Sequence, residues 1–132
     1  MIVLCHGVFD LLHMGHVEHL KQAKAFGDRL VVSVVADGYV SKPLLVCDQI
    51  ERVSMLAAIK YVDDVVLCEA PGPERVIASL IPDVYARGSD YIGKRMPEQE
   101  ILERLGIPVR YTSSIPIRTT GVIERIRRVA VA

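Results

Sequence analysis

Two histidines stand three residues apart in the segment HGVFDLLHMGHVEHL, which covers residues 6–20. His13 and His16 enclose Gly15, directly after an apolar, strand-like run and directly before a helical pattern. The start of a helix presents unpaired N–H groups and a partial positive charge, which together bind phosphate, and a glycine there lets the backbone approach a ligand. A lone histidine more often caps a helix or packs on a surface, but a pair about a glycine at this point predicts a phosphate site.

The elements that must position these histidines alternate along the chain. Short apolar runs predict strands over 1–5, 28–37, 63–70, 82–88 and 106–112, and apolar residues at helical spacing predict helices over 15–26, 48–61, 72–81, 97–106 and 119–128. Such alternation predicts right-handed βαβ units. We therefore expect the α/β class: a single Rossmann-like, doubly wound domain over 1–132 with a five-stranded, mostly parallel sheet. Ligands of such sheets bind beyond the carboxyl ends of the strands, where the strand order reverses.

The composition limits the partners of the chain. Hydrophobic residues make up 51% of it and charged residues 24%, with no tryptophan, which is typical of an aliphatic α/β core. The 16 basic residues balance the 16 acidic ones, so no overall field attracts nucleic acid or an anionic membrane. Any anion site must therefore be local.

Targeting signals and cysteine chemistry are not indicated. No apolar run approaches the ~18 residues that a membrane span requires, and no signal-peptide pattern opens the sequence. Cys5, Cys47 and Cys68 are scattered and odd in number, so neither a disulfide framework nor a zinc site is predicted. We expect a cytoplasmic protein with reduced thiols.

Segment 6–20 resembles the signature of the nucleotidyltransferase superfamily with the H-x-G-H motif, and specifically its cytidylyltransferase branch, which includes glycerol-3-phosphate and phosphoethanolamine cytidylyltransferases. The likeness extends to G-D-x-L-x-V at 27–32, Lys42 after the second strand, E-R-x-x-x-L at 51–56, YVDDVV at 61–66, RGSDY at 87–91 and a Thr-Thr pair at the last helix. This resemblance implies that a phosphate-type oxygen of an acceptor attacks the α-phosphorus of a nucleoside triphosphate and releases pyrophosphate. Because that oxygen is already anionic, positioning and charge stabilisation dominate the catalysis.

The resemblance assigns catalytic roles to His13, His16, Lys42 and Arg118. His13 and His16 would contact the triphosphate and stabilise the transition state. Lys42 would reach both the acceptor's phosphate and the α-phosphate, the alternative being a solvated loop lysine.

Arg52 and Asp10 are further candidates. Arg52 matches an arginine that the family directs at phosphates, which assigns it with Lys42 to the acceptor; a salt bridge to Glu51 or Asp48 is the alternative. Asp10 would orient the loop or a histidine, or help to hold a metal, and the sequence does not separate these roles. No metal ligand is assigned beyond that possibility.

Nucleotide contacts are assigned to the loops that follow the first and fourth strands and to the last helix. The predicted residues are Gly7, Val8, Phe9, Asp10, Gly15, Arg87, Gly88, Asp90, Tyr91, Thr119 and Thr120. Many relatives have threonine in place of Val8. Gly-Ser-Asp is also a common turn composition, so RGSDY alone would indicate only a turn.

The segment IPIRTTGVIERI, residues 115–126, allows two registers on the family's pattern. Arg118, Thr119 and Gly121 match R-T-x-G, whereas Thr119 and Thr120 match the two threonines of S-T-T at the start of the final helix. We favour the second register because it keeps the helix, with Thr119 as its cap and Ile126 on its apolar face. In both registers Arg118 and Thr119 approach the β- and γ-phosphates.

The nucleotide is predicted to be CTP, because the FDLLHMGH context and the small domain match the cytidylyltransferase branch. The open alternative is ATP, since adenylyltransferases of the superfamily that act on heptose phosphates carry K-G-x-D-Y loops similar to RGSDY. A non-catalytic nucleotide-binding module is a further alternative. An NAD-dependent dehydrogenase is excluded, because no G-x-G-x-x-G follows the first strand.

The acceptor is predicted only as a class, a small phosphate or phosphonate. Few aromatic residues are present to enclose a quaternary ammonium, which disfavours phosphocholine. Mg²⁺ is expected as part of the nucleotide substrate, where it bridges β- and γ-oxygens. The resemblance also implies a homodimer, and neither nucleic acid nor membrane is expected as a partner.

Overall fold

The computed structural model describes residues 1–41, 45–113 and 119–131. Its strands are β1 (Ile2–Gly7), β2 (Arg29–Val35), β3 (Asp64–Cys68), β4 (Val84–Gly88) and β5 (Val109–Thr112). Its helices are α1 (Met14–Ala25), α2 (Gln49–Ala57), α3 (Glu74–Leu80), α4 (Gln99–Leu105) and α5 (Thr119–Val131), and short 3₁₀ turns cover Asp37–Tyr39 and Ser89–Tyr91. Strands and helices alternate as the sequence predicts.

The five strands form one sheet in the order β3-β2-β1-β4-β5, and every pair is parallel. The predicted Rossmann-like α/β fold is therefore confirmed. The chain moves outward from β1 through β2 to β3, then crosses to β4 on the other side of β1. The strand order thus reverses between β1 and β4, and the carboxyl ends of these two strands mark the expected ligand crevice.

Neighbouring strand residues point to opposite sides of the sheet, and helices cover both sides, so both faces are buried. Val3 packs on one face with Leu20 of α1 and Leu56 of α2. Leu4 packs on the other face with Ile77 of α3 and Leu102 of α4. This double covering explains why the strands are continuous apolar runs rather than alternating ones.

Helix α2 differs from its prediction. It ends at Ala57 instead of 61, because the following N–H groups turn back to nearer carbonyls, as in the bond from Ile59 to Leu56. Ile59 still packs against the core from this turn, which is why the apolar pattern continues beyond the helix. The buried side of α2 consists of Arg52 and Leu56, four residues apart, whereas Ile50 is exposed.

The other helix ends follow local backbone chemistry. Ile81 ends α3 in the left-handed region at φ 47°, and Gly106 ends α4 at φ 68°. Helix α5 continues to Val131, beyond the predicted 128. Ile126, predicted to face inward, is 55% exposed in this chain. Within the described ranges, the structure contains no helix that is long and apolar enough to cross a membrane.

Candidate active site

The crevice lies where β1 and β4 end side by side. Cys5 of β1 pairs with Ala86 of β4, so the residues that follow them leave the sheet as neighbours. The loop 8–13 leads from β1 to α1, and the turn Ser89–Tyr91 follows β4. These two segments contain five of the eleven residues that the sequence assigns to the nucleotide: Val8, Phe9, Asp10, Asp90 and Tyr91.

His13 and His16 cap helix α1 reciprocally. His13 is the N-cap residue, and its Nδ1 accepts a hydrogen bond from the Gly15 N–H at 3.0 Å. The His13 N–H in turn donates to Nδ1 of His16 at 3.2 Å. The three-residue spacing places the side chains at the two positions of a capping box, a role that Ser/Thr and Glu/Gln usually fill. The histidines therefore do cap the helix, but they use only one edge of each ring for it.

This arrangement fixes the chemistry of the other ring edge. An Nδ1 that accepts a hydrogen bond carries no proton, so each neutral imidazole has its N–H at Nε2. Burial, with the charge of Arg125 as a second cause, lowers the pKa of His13. The ring centroids of His13 and His16 lie 4.0 Å apart, and the ring centroids of Phe9 and His16 lie 5.9 Å apart. The site thus contains two adjacent Nε2–H donors of neutral imidazoles.

The loop before α1 has an unusual backbone. Phe9 and Leu11 both adopt φ 55°, in the left-handed region that non-glycine residues rarely occupy. A Cβ on Gly7 would lie 3.0 Å from the Phe9 ring, so glycine leaves the space into which this ring packs. The Asp10 carboxylate accepts hydrogen bonds from Val46 N–H at 2.9 Å and Cys47 N–H at 2.8 Å. These two contacts support loop orientation among the roles considered for Asp10.

Arg52 lies beneath this loop and is 1% exposed. Its Nη1 donates to the carbonyl of Val8 at 2.8 Å and to that of Val35 at 2.7 Å. Its Nη2 bonds to the Asp37 carboxylate at 2.6 Å, which lowers the pKa of Asp37. Arg52 thus forms a salt bridge, but with Asp37 and from a buried position rather than with Glu51 or Asp48 on the surface. Its assignment to the acceptor stays a prediction.

The loop after β4 is built around Arg87 and Tyr91. The guanidinium carbon of Arg87 lies 3.9 Å from the Tyr91 ring centroid, and its Nη1 lies 3.5 Å from the His6 carbonyl. Arg87 Nε is buried without a hydrogen-bond partner among the described residues. A Cβ on Gly88 would lie 2.8 Å from the Asp90 carboxylate, so glycine allows this close approach.

The remaining histidines have structural partners that sequence analysis missed. His6 Nδ1 lies 3.0 Å from Ser33 Oγ, and burial together with the charge of Arg87 lowers the pKa of His6 to about 4. His19 Nδ1 lies 2.5 Å from Thr112 Oγ1, and burial lowers its pKa as well. His19 thereby ties α1 to the end of β5. Partners so distant in sequence leave no local signal.

A buried polar pair was also missed. Tyr85 donates its hydroxyl hydrogen to the Glu98 carboxylate at 2.5 Å, and both side chains are buried. Burial is the main cause that raises the pKa of Tyr85. The bond anchors the start of α4 to β4 and so fixes the far end of the loop that follows β4.

Some predicted site residues are not covered. Lys42 and Arg118 lie outside the described residues. Helix α5 begins at Thr119, the start that the sequence predicts for it, and the description of Thr119 and Thr120 does not extend to their side chains. The choice between the two registers stays a prediction. Their assigned phosphate contacts stay predictions.

The described side chains were also compared with what a protein-bound metal ion requires. The described ranges contain no group of three or more His, Cys, Asp or Glu side chains that could hold a metal ion. Both carboxylate oxygens of Asp10 already accept backbone N–H groups. The described side chains therefore do not fit a protein-held metal centre.

Comparisons with known proteins identify the family of this chain. Residues 4–125 match the family model described as Cytidylyltransferase-like. The bifunctional protein HldE of Geotalea uraniireducens (strain Rf4) is 38% identical over 133 residues, and that of Hahella chejuensis (strain KCTC 2396) is 38% identical over 132 residues. Each alignment covers 96% of this chain but only 27% and 28% of the two relatives. The chain thus spans little more than a quarter of their length.

Solved structures show the same architecture. The lipopolysaccharide core biosynthesis protein from Thermoplasma volcanium GSS1 superposes with a TM-score of 0.72 at 29% identity, covering 89% of this chain and 98% of that one. Pantothenate synthetase from Thermus thermophilus gives a TM-score of 0.58 at 16% identity, covering 90% of this chain and 57% of that one. The second likeness shows the fold alone.

Proposed function

Because this chain belongs to the Cytidylyltransferase-like family and is a nucleotidyltransferase, we propose that it transfers AMP from ATP to the phosphate of a small sugar phosphate. An acceptor oxygen attacks the α-phosphorus, the bond from this phosphorus to the oxygen bridging the α- and β-phosphates breaks, and pyrophosphate leaves with that oxygen. The observation that carries this proposal is the reciprocal capping of α1 by His13 and His16 at the reversal of strand order.

The choice of ATP departs from the CTP favoured by the sequence. The curated relatives at 38% identity are named bifunctional HldE proteins, not cytidylyltransferases. RGSDY also resembles the K-G-x-D-Y loop of heptose-phosphate adenylyltransferases. A protein of lipopolysaccharide core biosynthesis handles sugars, and the similarity to one at 29% identity supports a sugar phosphate as acceptor. CTP with a small phosphate or phosphonate is the second candidate, favoured by the FDLLHMGH segment.

The two imidazoles act by charge stabilisation. Negative charge on the phosphate oxygens shifts during the transfer, and hydrogen-bond donors held in place beforehand stabilise it without reorganising. Since the backbone fixes Nδ1 of His13 and His16 as acceptors, their Nε2–H groups serve as these donors. No general base is required, because the phosphate oxygen of the acceptor is already anionic.

Other groups complete the proposal. Lys42 and Arg118 would neutralise the phosphates, and Thr119 and Thr120 would bind them at the start of α5. Magnesium enters as part of the nucleotide substrate, bound to its phosphates. The homodimer and the cytoplasmic location remain expectations from the resemblance and the sequence.

One panel of assays tests this function. Purified protein with magnesium is given ATP, CTP, GTP or UTP, each crossed with heptose phosphates, other sugar phosphates, glycerol phosphate and small phosphonates, and pyrophosphate release is measured. We expect release with ATP and a sugar phosphate. Activity with CTP alone would overturn the choice of nucleotide. Nucleotide binding without pyrophosphate in any combination would instead make the chain a binding module.

A further inference from the structure

The loop that precedes the histidines is held in a conformation it would not adopt alone. Phe9 and Leu11 have φ 55°, and they stand on either side of Asp10. A non-glycine residue in this region brings Cβ too close to the carbonyl oxygen, so two of them in three residues persist only where the surroundings impose them. The chain must therefore contain groups that hold this loop from outside it.

Asp10 provides one of these holds. Its side chain is 3% exposed and accepts the N–H groups of Val46 and Cys47, in the segment that leads into α2. The loop is thus fastened to a segment 36 and 37 residues further along the chain.

Arg52 provides the second hold. One guanidinium donates to the carbonyls of Val8, Val35 and Cys47 and to the carboxylate of Asp37. Cys47 is shared by both holds, because its N–H donates to Asp10 and its carbonyl accepts from Arg52. The ends of β1 and β2 and the start of α2 are therefore joined through a single side chain.

The same contacts leave Arg52 little capacity for a substrate. A guanidinium has five N–H donors, and four hydrogen bonds of Arg52 go to acceptors among the described residues. Its side chain is 0% exposed. To reach an acceptor phosphate it would have to leave buried carbonyls unsatisfied, which is costly.

We infer that Arg52 is a positioning residue for nucleotidyl transfer: it holds the Val8 carbonyl, and with it the loop that presents His13 and His16, and does not contact the acceptor. This differs from the phosphate contact that the resemblance assigns to it. Its catalytic consequence rests on the proposed function, whereas its effect on the ligand-free loop does not.

The test compares Arg52→Lys with the matched control Arg104→Lys, which changes an exposed arginine of α4. Lysine keeps the charge but cannot form the four bonds, so kcat should fall about 10- to 100-fold, as expected when reacting groups are misplaced, while the KM for the acceptor stays within about 3-fold. The control should leave both constants unchanged.

If Arg52→Lys does not fold, Asp37→Asn replaces it as the test variant. This change weakens the exposed end of the hold, so kcat should fall in the same direction but by less.

A second measurement needs no substrate. Long-range ¹H–¹⁵N NMR of the ligand-free protein reports which nitrogen of each imidazole carries the proton. In Arg52→Lys the His13 and His16 signals should change, while that of His19, bonded to Thr112, should not. This outcome would stand even if ATP and sugar phosphates were not the substrates.

Two results would overturn the inference. One is a rise in acceptor KM of about 10-fold or more with kcat and the imidazole signals unchanged, which would make Arg52 an acceptor contact. The other is a variant in which kcat, acceptor KM and the imidazole signals are all those of the parent protein.

Discussion

The two loops that flank the crevice are held in different ways. The loop after β1 is fastened by Asp10 and Arg52 through part-buried hydrogen bonds to two other segments. The loop after β4 contains the stack between Arg87 and the 39% exposed Tyr91, and one buried nitrogen of Arg87 has no partner in the part of the chain that the structure describes. The first loop is preorganised by these hydrogen bonds. The second loop leaves the buried Nε of Arg87 without a hydrogen-bond partner among the described residues.

This difference suggests that the two loops have different roles in the reaction. Donors that stabilise a transition state are effective only if they need not reorganise, which suits the fastened loop with His13 and His16. Groups that select a substrate can adjust as it binds, which suits Arg87 and Tyr91. We therefore expect changes in the first loop to lower kcat and changes in the second to alter KM.

The largest effect is expected for His16→Ala. Loss of one preorganised donor should lower kcat by about 10²- to 10³-fold, and the capping bond from His13 N–H is lost with it. Steady-state pyrophosphate release provides the measurement, with Val17→Ala, an exposed neighbour on α1, as control. A turnover within a few-fold of the parent protein would remove His16 from the mechanism.

Asp10→Asn weakens the fastening itself. The amide NH₂ must face the N–H of either Val46 or Cys47, so one donor of a part-buried hydrogen bond loses its acceptor, which costs about 1 kcal/mol of unfolding free energy. Denaturant titration measures this loss, and hydrogen exchange should show faster exchange at Val46 and Cys47. Unchanged stability together with unchanged exchange would contradict the hold that the geometry assigns to Asp10.

The sequence predicts the fold and the histidine site because their signals are local. A buried strand such as β2 is a continuous apolar run, and His13 and His16 lie within one helical turn of each other. The capping box, with its consequence for the tautomers, follows from the same three-residue spacing.

The supporting contacts are not local, and the sequence does not predict them. Arg52 finds its partners at Val8, Val35 and Asp37, which only the folded sheet brings together. Phe9 has a positive φ although it is not a glycine, so its residue type does not indicate this conformation. What pattern analysis misses here is the set of long-range hydrogen bonds that fasten a loop, because each joins segments whose proximity depends on the whole topology.

A smaller effect is expected for Tyr91→Leu in the second loop. A cation–π contact at an exposed position contributes about 0.5–1 kcal/mol, so the KM for the nucleotide should rise about 2- to 5-fold with kcat nearly unchanged. Tyr91→Phe retains the ring and serves as control. A fall in kcat at constant KM would instead assign Tyr91 to the transition state and remove the contrast between the loops.

The smallest effect concerns pH and the fastened loop. Burial and the charge of Arg125 lower the pKa of His13, so its neutral form, with Nδ1 accepting from Gly15, persists below the ordinary histidine value of 6.5. As pH falls through the lowered pKa, a proton on Nδ1 displaces that hydrogen bond and kcat/KM should fall. Arg125→Gln removes the second cause, so the acid limb of the profile should move to higher pH, while Arg104→Gln on α4 should leave it in place. A limb that does not move would show that His13 does not determine the acid side of the profile.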